Sequence, residues 1–247
     1  MSARGVILEI RPGTGGEEAM LFANDLLEMY LKFANRQNWP VKILDFQQTS
    51  LGGIKEAIIE ISDSASFNYL RWEAGVHRVQ RIPKTEKSGR VHTSTATVAV
   101  LPKVSNIELN INPADLKIDT YRASGAGGQY VNKTESAVRI THRPSGVAVA
   151  CQSERSQASN REKAMEILRA KLANSIRNQQ KREITNERRS QIGTAERSEK
   201  IRTYNFPQNR ITDHRVKKSW RNLEHILNGH LEVIIKEFLK DNGGIKK

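Results

Sequence analysis

The stretch Gly5-Val6-Ile7-Leu8-Glu9-Ile10-Arg11-Pro12-Gly13-Thr14-Gly15-Gly16-Glu17-Glu18-Ala19 places a strand pattern, a loop and a helix start in direct succession. Residues 5–10 form a short apolar run that is typical of a strand, and 11–16 carry the proline and glycines of a loop. Glu17 and Glu18 favour a helix start, because acidic side chains stabilise the positive end of the helix dipole. The stretch therefore predicts that helix and strand pack together in one unit.

Working outward, apolar spacing predicts the elements of the first hundred residues. The helix that begins at Glu17 continues to about Asn35. The pattern after it predicts two strands at 41–48 and 54–62 joined by a hairpin turn, a short helix at 65–71, an irregular segment at 76–95 and a strand at 96–102.

The composition shifts near residue 103, and a second set of elements follows. The pattern predicts strands at 107–111 and 116–120, a glycine-rich loop at 122–130, a hairpin of 138–142 with 147–151, and a helix from an N-cap at Ser159 to about 188. Beyond it we expect a loop at 203–210 and two helical pieces within 217–240. We predict a multidomain α+β protein with segments 1–103, 104–191 and 192–247, the last packing on the first.

The net charge of the chain indicates which class of partner it could bind. Its 247 residues carry 40 Lys and Arg against 27 Asp and Glu, a net charge of +13 and a pI of about 10.0. Such an excess favours a polyanionic partner, although a solvated basic surface would have the same composition. A single cysteine excludes an intramolecular disulfide and a cysteine-based zinc site. No signal peptide or membrane-spanning run is visible, so we expect a cytoplasmic protein.

The common templates of catalysis are missing from the sequence. We find no metal-ligand spacing, no nucleophile elbow and no phosphate-binding loop with its lysine, and we expect no metal and no cofactor. The loop Gly13-Thr14-Gly15-Gly16 could bind an anion through backbone N–H groups, but Glu17 and Glu18 would repel phosphate. That helix tip suits a neutral base edge better, and a plain helix-capping loop is the alternative.

A second glycine-rich loop, Ser124-Gly125-Ala126-Gly127-Gly128-Gln129, suits a different chemistry. Its glycines allow backbone N–H groups to approach another molecule closely, and Gln129 adds donors and an acceptor without a titrating charge. Arg122 and Arg139 could screen nearby phosphates. Such a loop could order water and stabilise an oxyanion through backbone N–H groups, but it offers no nucleophile.

Four blocks, in order, resemble the bacterial-type class I peptide chain release factors. The loop with Gly127-Gly128-Gln129 is similar to the family's hydrolysis loop, and Glu9 to Ala19 is similar to its codon-side helix tip. The segment from Gly75 to Ser94 resembles the one that reads stop codons. The resemblance covers nearly the whole chain; its fourth block, similar to the switch loop, is Arg202-Thr203-Tyr204-Asn205-Phe206-Pro207-Gln208 with Thr212-Asp213-His214-Arg215.

The resemblance implies roles for single residues. Pro83-Lys84-Thr85 matches the Pro-x-Thr tripeptide of the release factor 1 type, which reads UAA and UAG, and Thr85 would contact the first two bases. Gly15 and Glu18 would hold the first uridine. His92 would stack between the second and third bases, and Gln80 and Thr93 would read the third. Hydroxyl, amide and imidazole groups are suited to exposed single-stranded bases.

The resemblance also implies the reaction and the partners. Gly127, Gly128 and Gln129 would enter the peptidyl transferase centre and trigger hydrolysis of the peptidyl-tRNA ester, a role that depends on the ribosome. The partners would be 16S and 23S ribosomal RNA, the mRNA stop codon, peptidyl-tRNA, and a glutamine methyltransferase that modifies Gln129 at N5. Two alternatives stay open: a codon-independent ribosome rescue factor, and a non-hydrolytic RNA-binding relative.

The sequence departs from the family pattern in two ways. Lys84 replaces a small apolar residue at the middle of the tripeptide, which could add a phosphate contact or alter codon choice. The N-terminal helical domain that the family usually has does not precede residue 1. We expect either a truncated form or a naturally short member, and an organelle matrix is the alternative location.

Overall fold

The computed structural model describes residues 4–83, 86, 88–103, 111–122 and 135–242. The chain divides into two units, 1–105 with 184–247 and 106–183. Each unit has its own sheet and its own apolar cluster. The predicted multidomain α+β class is confirmed. The second unit ends inside a long helix, whereas the sequence placed a boundary at 191, and the roles of the three predicted segments stay predictions.

The first unit is built on a mixed sheet of eight strands. Its strand order is β11-β10-β9-β4-β5-β1-β3-β2, and all neighbours are antiparallel except β4 and β9, which are parallel. The strands are β1 (Val6–Pro12), β2 (Val41–Gln48), β3 (Ile54–Ile61), β4 (Gly75–Arg81), β5 (His92–Pro102), β9 (Lys200–Asn205), β10 (Arg210–Asp213) and β11 (Lys218–Arg221).

Helix α1 (Gly16–Arg36) covers one face of this sheet. Its buried side chains recur at helical spacing, and they pack with the inward-facing residues of the strands in one cluster. Removing each large apolar side chain from water contributes about 1.5–3 kcal/mol. Short helices α2 (Ser66–Leu70), α4 (Leu223–Leu227) and α5 (Glu232–Asn242) complete the unit. The predicted helix, hairpin strands and short helix in this part of the sequence are confirmed.

Three sequence predictions for the first unit are wrong. The segment predicted as irregular, 76–95, contains β4 and the start of β5, and the predicted loop 203–210 contains the end of β9 and the start of β10. The start of the predicted helical pair at 217–240 is β11. These strands carry polar residues on both faces, some of them buried by ionic contacts, so they lack the alternation that marks a strand.

The second unit has a three-stranded antiparallel sheet in the order β6-β7-β8. Its strands are β6 (Leu116–Tyr121), β7 (Ala137–His142) and β8 (Ala148–Cys151), which confirms the predicted hairpin. Helix α3 (Gln157–Ile192) begins in this unit. The predicted N-cap at Ser159 is wrong, because the Ser156 Oγ accepts from the Ser159 N–H at 3.1 Å. Most of the strand predicted at 107–111 and most of the loop predicted at 122–130 lie outside the described residues. None of the described helices is both long enough and apolar enough to cross a membrane.

Candidate functional site

The loop that precedes α1 is fastened to β5. The Gly13 N–H donates to the Thr95 carbonyl at 2.8 Å, and the Thr95 N–H donates to the Thr14 carbonyl at 2.8 Å. The Thr14 N–H donates to the Thr95 hydroxyl, also at 2.8 Å. These three bonds hold the N-terminal tip of α1 at the start of β5. The candidate residues His92 and Thr93 lie there, in a different block of the sequence.

Gly15 is required at this tip by space as well as by conformation. Its φ of +138° is unfavourable for other residues, and a Cβ there would overlap the side chain of Ser94. Gly15 is the N-cap of α1 and provides no side-chain cap. The first N–H groups of a helix have no partner within it, so this tip presents backbone donors beside β5.

Glu18 is buried in the first turn of α1, where Arg81 at the end of β4 binds it. The Arg81 Nε donates to Glu18 Oε1, and its Nη1 donates to Asp25 Oδ2 at 2.6 Å. Burial would lower the pKa of Arg81, but the carboxylates of Asp25 and Glu18 outweigh it and the pKa is raised. Glu18 Oε2 has no hydrogen-bond partner among the described residues. Arg81 therefore joins the helix tip to β4 as a permanent cation.

The two residues predicted to read a third base face each other. Gln80 on β4 is the cross-strand partner of Thr93 on β5. The Gln80 side-chain oxygen accepts from Asn205 Nδ2 at 3.1 Å, and its carbonyl accepts from the Phe206 N–H at 3.0 Å. The Gln80 side chain also carries two Nε2 hydrogens that can act as donors.

His92 opens β5 directly opposite Arg81. Its side chain is 47% exposed, and its Nε2 lies 2.8 Å from Glu86 Oε2. Pro83, which follows β4, is buried. Lys84 and Thr85 lie outside the described residues. The structure thus brings Gly15, Glu18, Gln80, His92 and Thr93 to one end of the sheet, from blocks far apart in sequence.

The hydrolysis-loop candidates belong to the second unit. Gly127, Gly128 and Gln129 lie outside the described residues. The described chain stops at Arg122 and resumes at Glu135, and the strands on either side are neighbours, since Tyr121 on β6 pairs with Ala137 on β7. Tyr121 and Ala137, which flank this segment, therefore lie at the same end of the sheet.

Comparison with known proteins decides the family. Residues 1–98 match the PCRF domain and residues 105–215 match the RF-1 domain. The chain is 56% identical over 95% of its length to "Peptide chain release factor 1" of Thermotoga maritima, covering 68% of that protein.

The chain belongs to the peptide chain release factor family.

Other relatives agree with this assignment. The chain is 58% identical over 94% of its length to "Peptide chain release factor 1" of Aquifex aeolicus, covering 64% of it. Among solved structures, "RF2 of Thermus thermophilus" matches 99% of this chain and 70% of its own with a TM-score of 0.60 and 39% identity. The chain spans about two thirds of the length of the curated relatives it matches. Proteins of this release factor family act on the ribosome in translation termination.

A buried ionic cluster, which the sequence pattern did not predict, lies in the same unit as the candidate site. Arg202 on β9 donates to both carboxylate oxygens of Glu73, at 2.6 and 2.8 Å, and its Nε donates to Asp213 at 3.2 Å. All three side chains have no exposed surface. A bidentate pair of this kind is strong because charge and geometry agree. The cluster fastens β9 and β10 to the short helical turn that precedes β4.

His77 and two tyrosines complete this cluster. The Tyr30 hydroxyl donates to Glu73 at 3.1 Å, and the imidazole of His77 contacts the Glu73 carbonyl at 2.9 Å and the Tyr204 hydroxyl at 3.2 Å. Burial, with help from Arg202, lowers the pKa of His77 to about 4. Burial would raise the pKa of Glu73, but Arg202 outweighs it, so this carboxyl has a lowered pKa. The cluster is therefore ionic at Glu73 and Arg202 and neutral at His77.

Asn205 and Arg81 are the site residues that sequence reasoning left without a role. Both lie inside blocks that resemble the release factor family, so the blocks were the available signal. The sequence blocks do not show which residues they contact, because Asn205 forms a hydrogen bond with Gln80, which lies 125 residues earlier in the chain. Among the described residues, no three His, Cys, Asp or Glu side chains gather in a way that could hold a metal ion.

Proposed function

We propose that this chain reads the stop codons UAA and UAG in the ribosomal A site and triggers hydrolysis of the peptidyl-tRNA ester. One observation supports this most: the helix tip with Gly15 and Glu18 lies at the same end of the sheet as Gln80, His92 and Thr93. These groups come from separate blocks of the sequence, and membership of the release factor family offers a reason for the fold to bring them together.

The chemistry of these groups suits base recognition. The Thr93 hydroxyl and Gln80 amide form hydrogen bonds with base edges, and the exposed imidazole of His92 offers a stacking surface. The N–H groups at Gly15 provide donors for the first uridine, together with Glu18. Pro83, Lys84 and Thr85 complete the set by resemblance, with Thr85 at the first two bases. The net charge of +13 supplies attraction to 16S and 23S ribosomal RNA and to mRNA.

Gly127, Gly128 and Gln129 are assigned to the hydrolysis step by resemblance. In the peptidyl transferase centre, the backbone N–H of Gln129 stabilises the transition state and the leaving 3′-oxygen, and its side chain selects water over bulkier nucleophiles.

This assignment makes a prediction about Gln129. The Gln129→Ala variant keeps its backbone N–H and retains measurable release, whereas Gln129→Pro lacks that N–H and loses release. Peptide release is measured at saturating factor, with ribosome binding measured in parallel. Equal loss in both variants would refute the backbone role.

Gln129 is also the site we propose for modification. A release-factor glutamine methyltransferase would add one methyl group at its side-chain nitrogen, in the cytoplasm. Mass spectrometry of the purified chain tests this, and an unmodified Gln129 after exposure to the active methyltransferase would contradict it.

The deciding experiment measures release of labelled peptide from ribosomes that carry peptidyl-tRNA. We expect release at UAA and UAG, much less at UGA, and none at a sense codon or an empty A site. Equal release on all A sites would support a codon-independent rescue factor instead. Ribosome binding without hydrolysis would support a non-hydrolytic RNA-binding protein. Gln129→Pro serves as the control that binds without chemistry.

A further inference from the structure

A row of side chains crosses the face of the large sheet opposite α1 and extends beyond the proposed third-base readers. Thr93 on β5 pairs with Gln80 on β4, and Gln80 pairs with Asn205 on β9. Asn205 pairs with Arg210 on β10, and Arg210 pairs with Arg221 on β11. Directly opposed residues project to the same face of a sheet, so these five residues form one line, which we call the cross-strand row.

The cross-strand row changes in chemistry along its length. Its first three members are neutral hydrogen-bonding groups, and its last two are exposed guanidinium groups directly opposite each other. Opposed like charges destabilise a sheet unless an anion lies between them. Arg210 donates to Gln208 at 2.6 Å, but neither arginine forms an ion pair with any carboxylate of the described residues.

Two other cations of the same hairpin have a carboxylate partner. Lys218 on β11 pairs with Glu237, and Arg215 pairs with Asp213 at 2.7 Å. Arg210 and Arg221 lack such a carboxylate partner although they lie directly opposite each other. This contrast indicates that their anion comes from another molecule.

The two arginines line a concave surface beside an anchored turn. With Gln208 and Asn209 they enclose a depression of about 390 Å³. The Asn209 side chain accepts from the Leu223 N–H at 2.8 Å, which holds the turn between β9 and β10 against the start of α4. The planar, bidentate guanidinium group is the preferred protein partner of a phosphate.

We infer that Arg210 and Arg221 bind backbone phosphates of the mRNA immediately downstream of the stop codon. This rests on the proposed function, because Gln80 and Thr93 define where the third base lies. Neighbouring strands are about 4.8 Å apart, so the two arginines lie about 10 and 14 Å beyond Gln80 along the row. The neutral end reads a base and the cationic end binds the backbone, a usual division in nucleic-acid recognition.

The direction of the mRNA follows from the two faces of the sheet. The proposed first-base residue Gly15 packs against Ser94, on the face that α1 covers. The third-base pair of Gln80 and Thr93 lies on the opposite face, since the alternate positions Val79 and Ser94 are buried. An mRNA read from first to third base therefore arrives on the face opposite α1, where the row continues toward Arg210.

The test uses two mRNAs that carry the same UAA codon. One ends at the third base, and the other continues for several nucleotides. We expect the chain to release peptide with a higher kcat/KM on the extended mRNA. The double variant Arg210→Gln/Arg221→Gln should lower kcat/KM about tenfold on the extended mRNA and leave the shortened one nearly unchanged. The matched control is Lys42→Gln/Lys55→Gln, which removes two exposed charges at the opposite edge of the same sheet.

A second measurement changes the ligand and leaves the protein intact. A neutral methylphosphonate linkage just downstream of UAA should lower kcat/KM of the unmodified chain and have no further effect on the double variant. Equal loss by the double variant on both mRNAs would assign the arginines to ribosomal RNA and overturn this inference, as would no loss on either. Absence of release by the unmodified chain would overturn the proposed function as well, so the two failures are distinguishable.

Discussion

The two units differ in how many apolar side chains they bury. Among the described residues, the apolar cluster of the first unit has 28 buried members and that of the second has seven, so the first has far more burial free energy to hold its parts in place. No residue of α3 beyond Leu172 is buried. The proposed base-reading site would need a rigid frame. The large sheet meets that need, and the smaller unit has less packing to resist local opening.

The two units also differ in their buried polar groups, and each unit contains a residue type that reports on its unfolding. The ionic cluster of Glu73, Arg202 and Asp213 lies in the first unit, whereas Asn160 is the one buried polar side chain among the described residues of the second. The three tryptophans, at 39, 72 and 220, lie in the first unit, and the single cysteine, Cys151, is buried in the second. Tryptophan fluorescence and thiol labelling therefore follow the two units separately.

The largest effect is expected from Arg202→Met. The substitution leaves Glu73 and Asp213 buried without their shared cation, and it should cost about 3–5 kcal/mol of unfolding free energy. Urea unfolding followed by tryptophan fluorescence measures the loss, and the labelling rate of Cys151 should stay unchanged. Arg177→Met, at an exposed position of α3, is the matched control. A loss below about 1 kcal/mol would contradict the stabilising role of the cluster.

The complementary change is Leu168→Ala in the second unit. Leu168 is fully buried in the small cluster that contains Cys151, and its truncation should cost about 3 kcal/mol. Local opening should then become roughly 100-fold more frequent, and thiol labelling of Cys151 in native buffer should accelerate by the same factor. Ile167→Ala, at the exposed neighbouring position, is the control. If tryptophan unfolding shifted as much as thiol labelling, the units would not be independent.

A lower pH should reduce the stability of the first unit through His77. Its pKa is lowered to about 4 in the folded chain, whereas a histidine in an unfolded chain has a pKa of about 6.5. Between these values the unfolded chain binds a proton that the folded chain does not, so stability falls as the pH falls, by up to about 3 kcal/mol. His77→Gln should flatten this dependence in tryptophan-monitored urea unfolding, while exposed His225→Gln should not. Equal slopes in the two variants would place the acid sensitivity elsewhere.

The difference between apolar burial and ionic burial explains which elements the sequence could predict. Elements whose burial is purely apolar, such as α1 and the hairpin of β7 and β8, follow their periodicity and were predicted correctly. Strands β4 and β9 were missed, because His77 and Arg202 occupy inward positions that the pattern marks as polar. The blocks indicated the residues of the candidate site, but not the contacts of Arg81 and Asn205. The contact of Asn205 depends on the parallel pairing of β4 with a strand from late in the chain, and the contacts of Arg81 depend on α1 lying beside the end of β4.

The smallest effect tests whether the site needs the close contact between helix tip and strand. Gly15→Ala introduces a Cβ into the space of the Ser94 side chain at a φ of +138°, whereas Gly16→Ala meets no atom within 4 Å at a φ of +59°. Gly16→Ala adds about 1 kcal/mol of strain in the left-handed region, whereas Gly15→Ala adds strain at a φ outside that region and must also move the tip away from β5. Gly15→Ala should therefore cost about 2 kcal/mol and lower kcat/KM for release at UAA more than Gly16→Ala does. Similar losses of stability and release in both variants would mean that strain, and not the contact with Ser94, governs this tip.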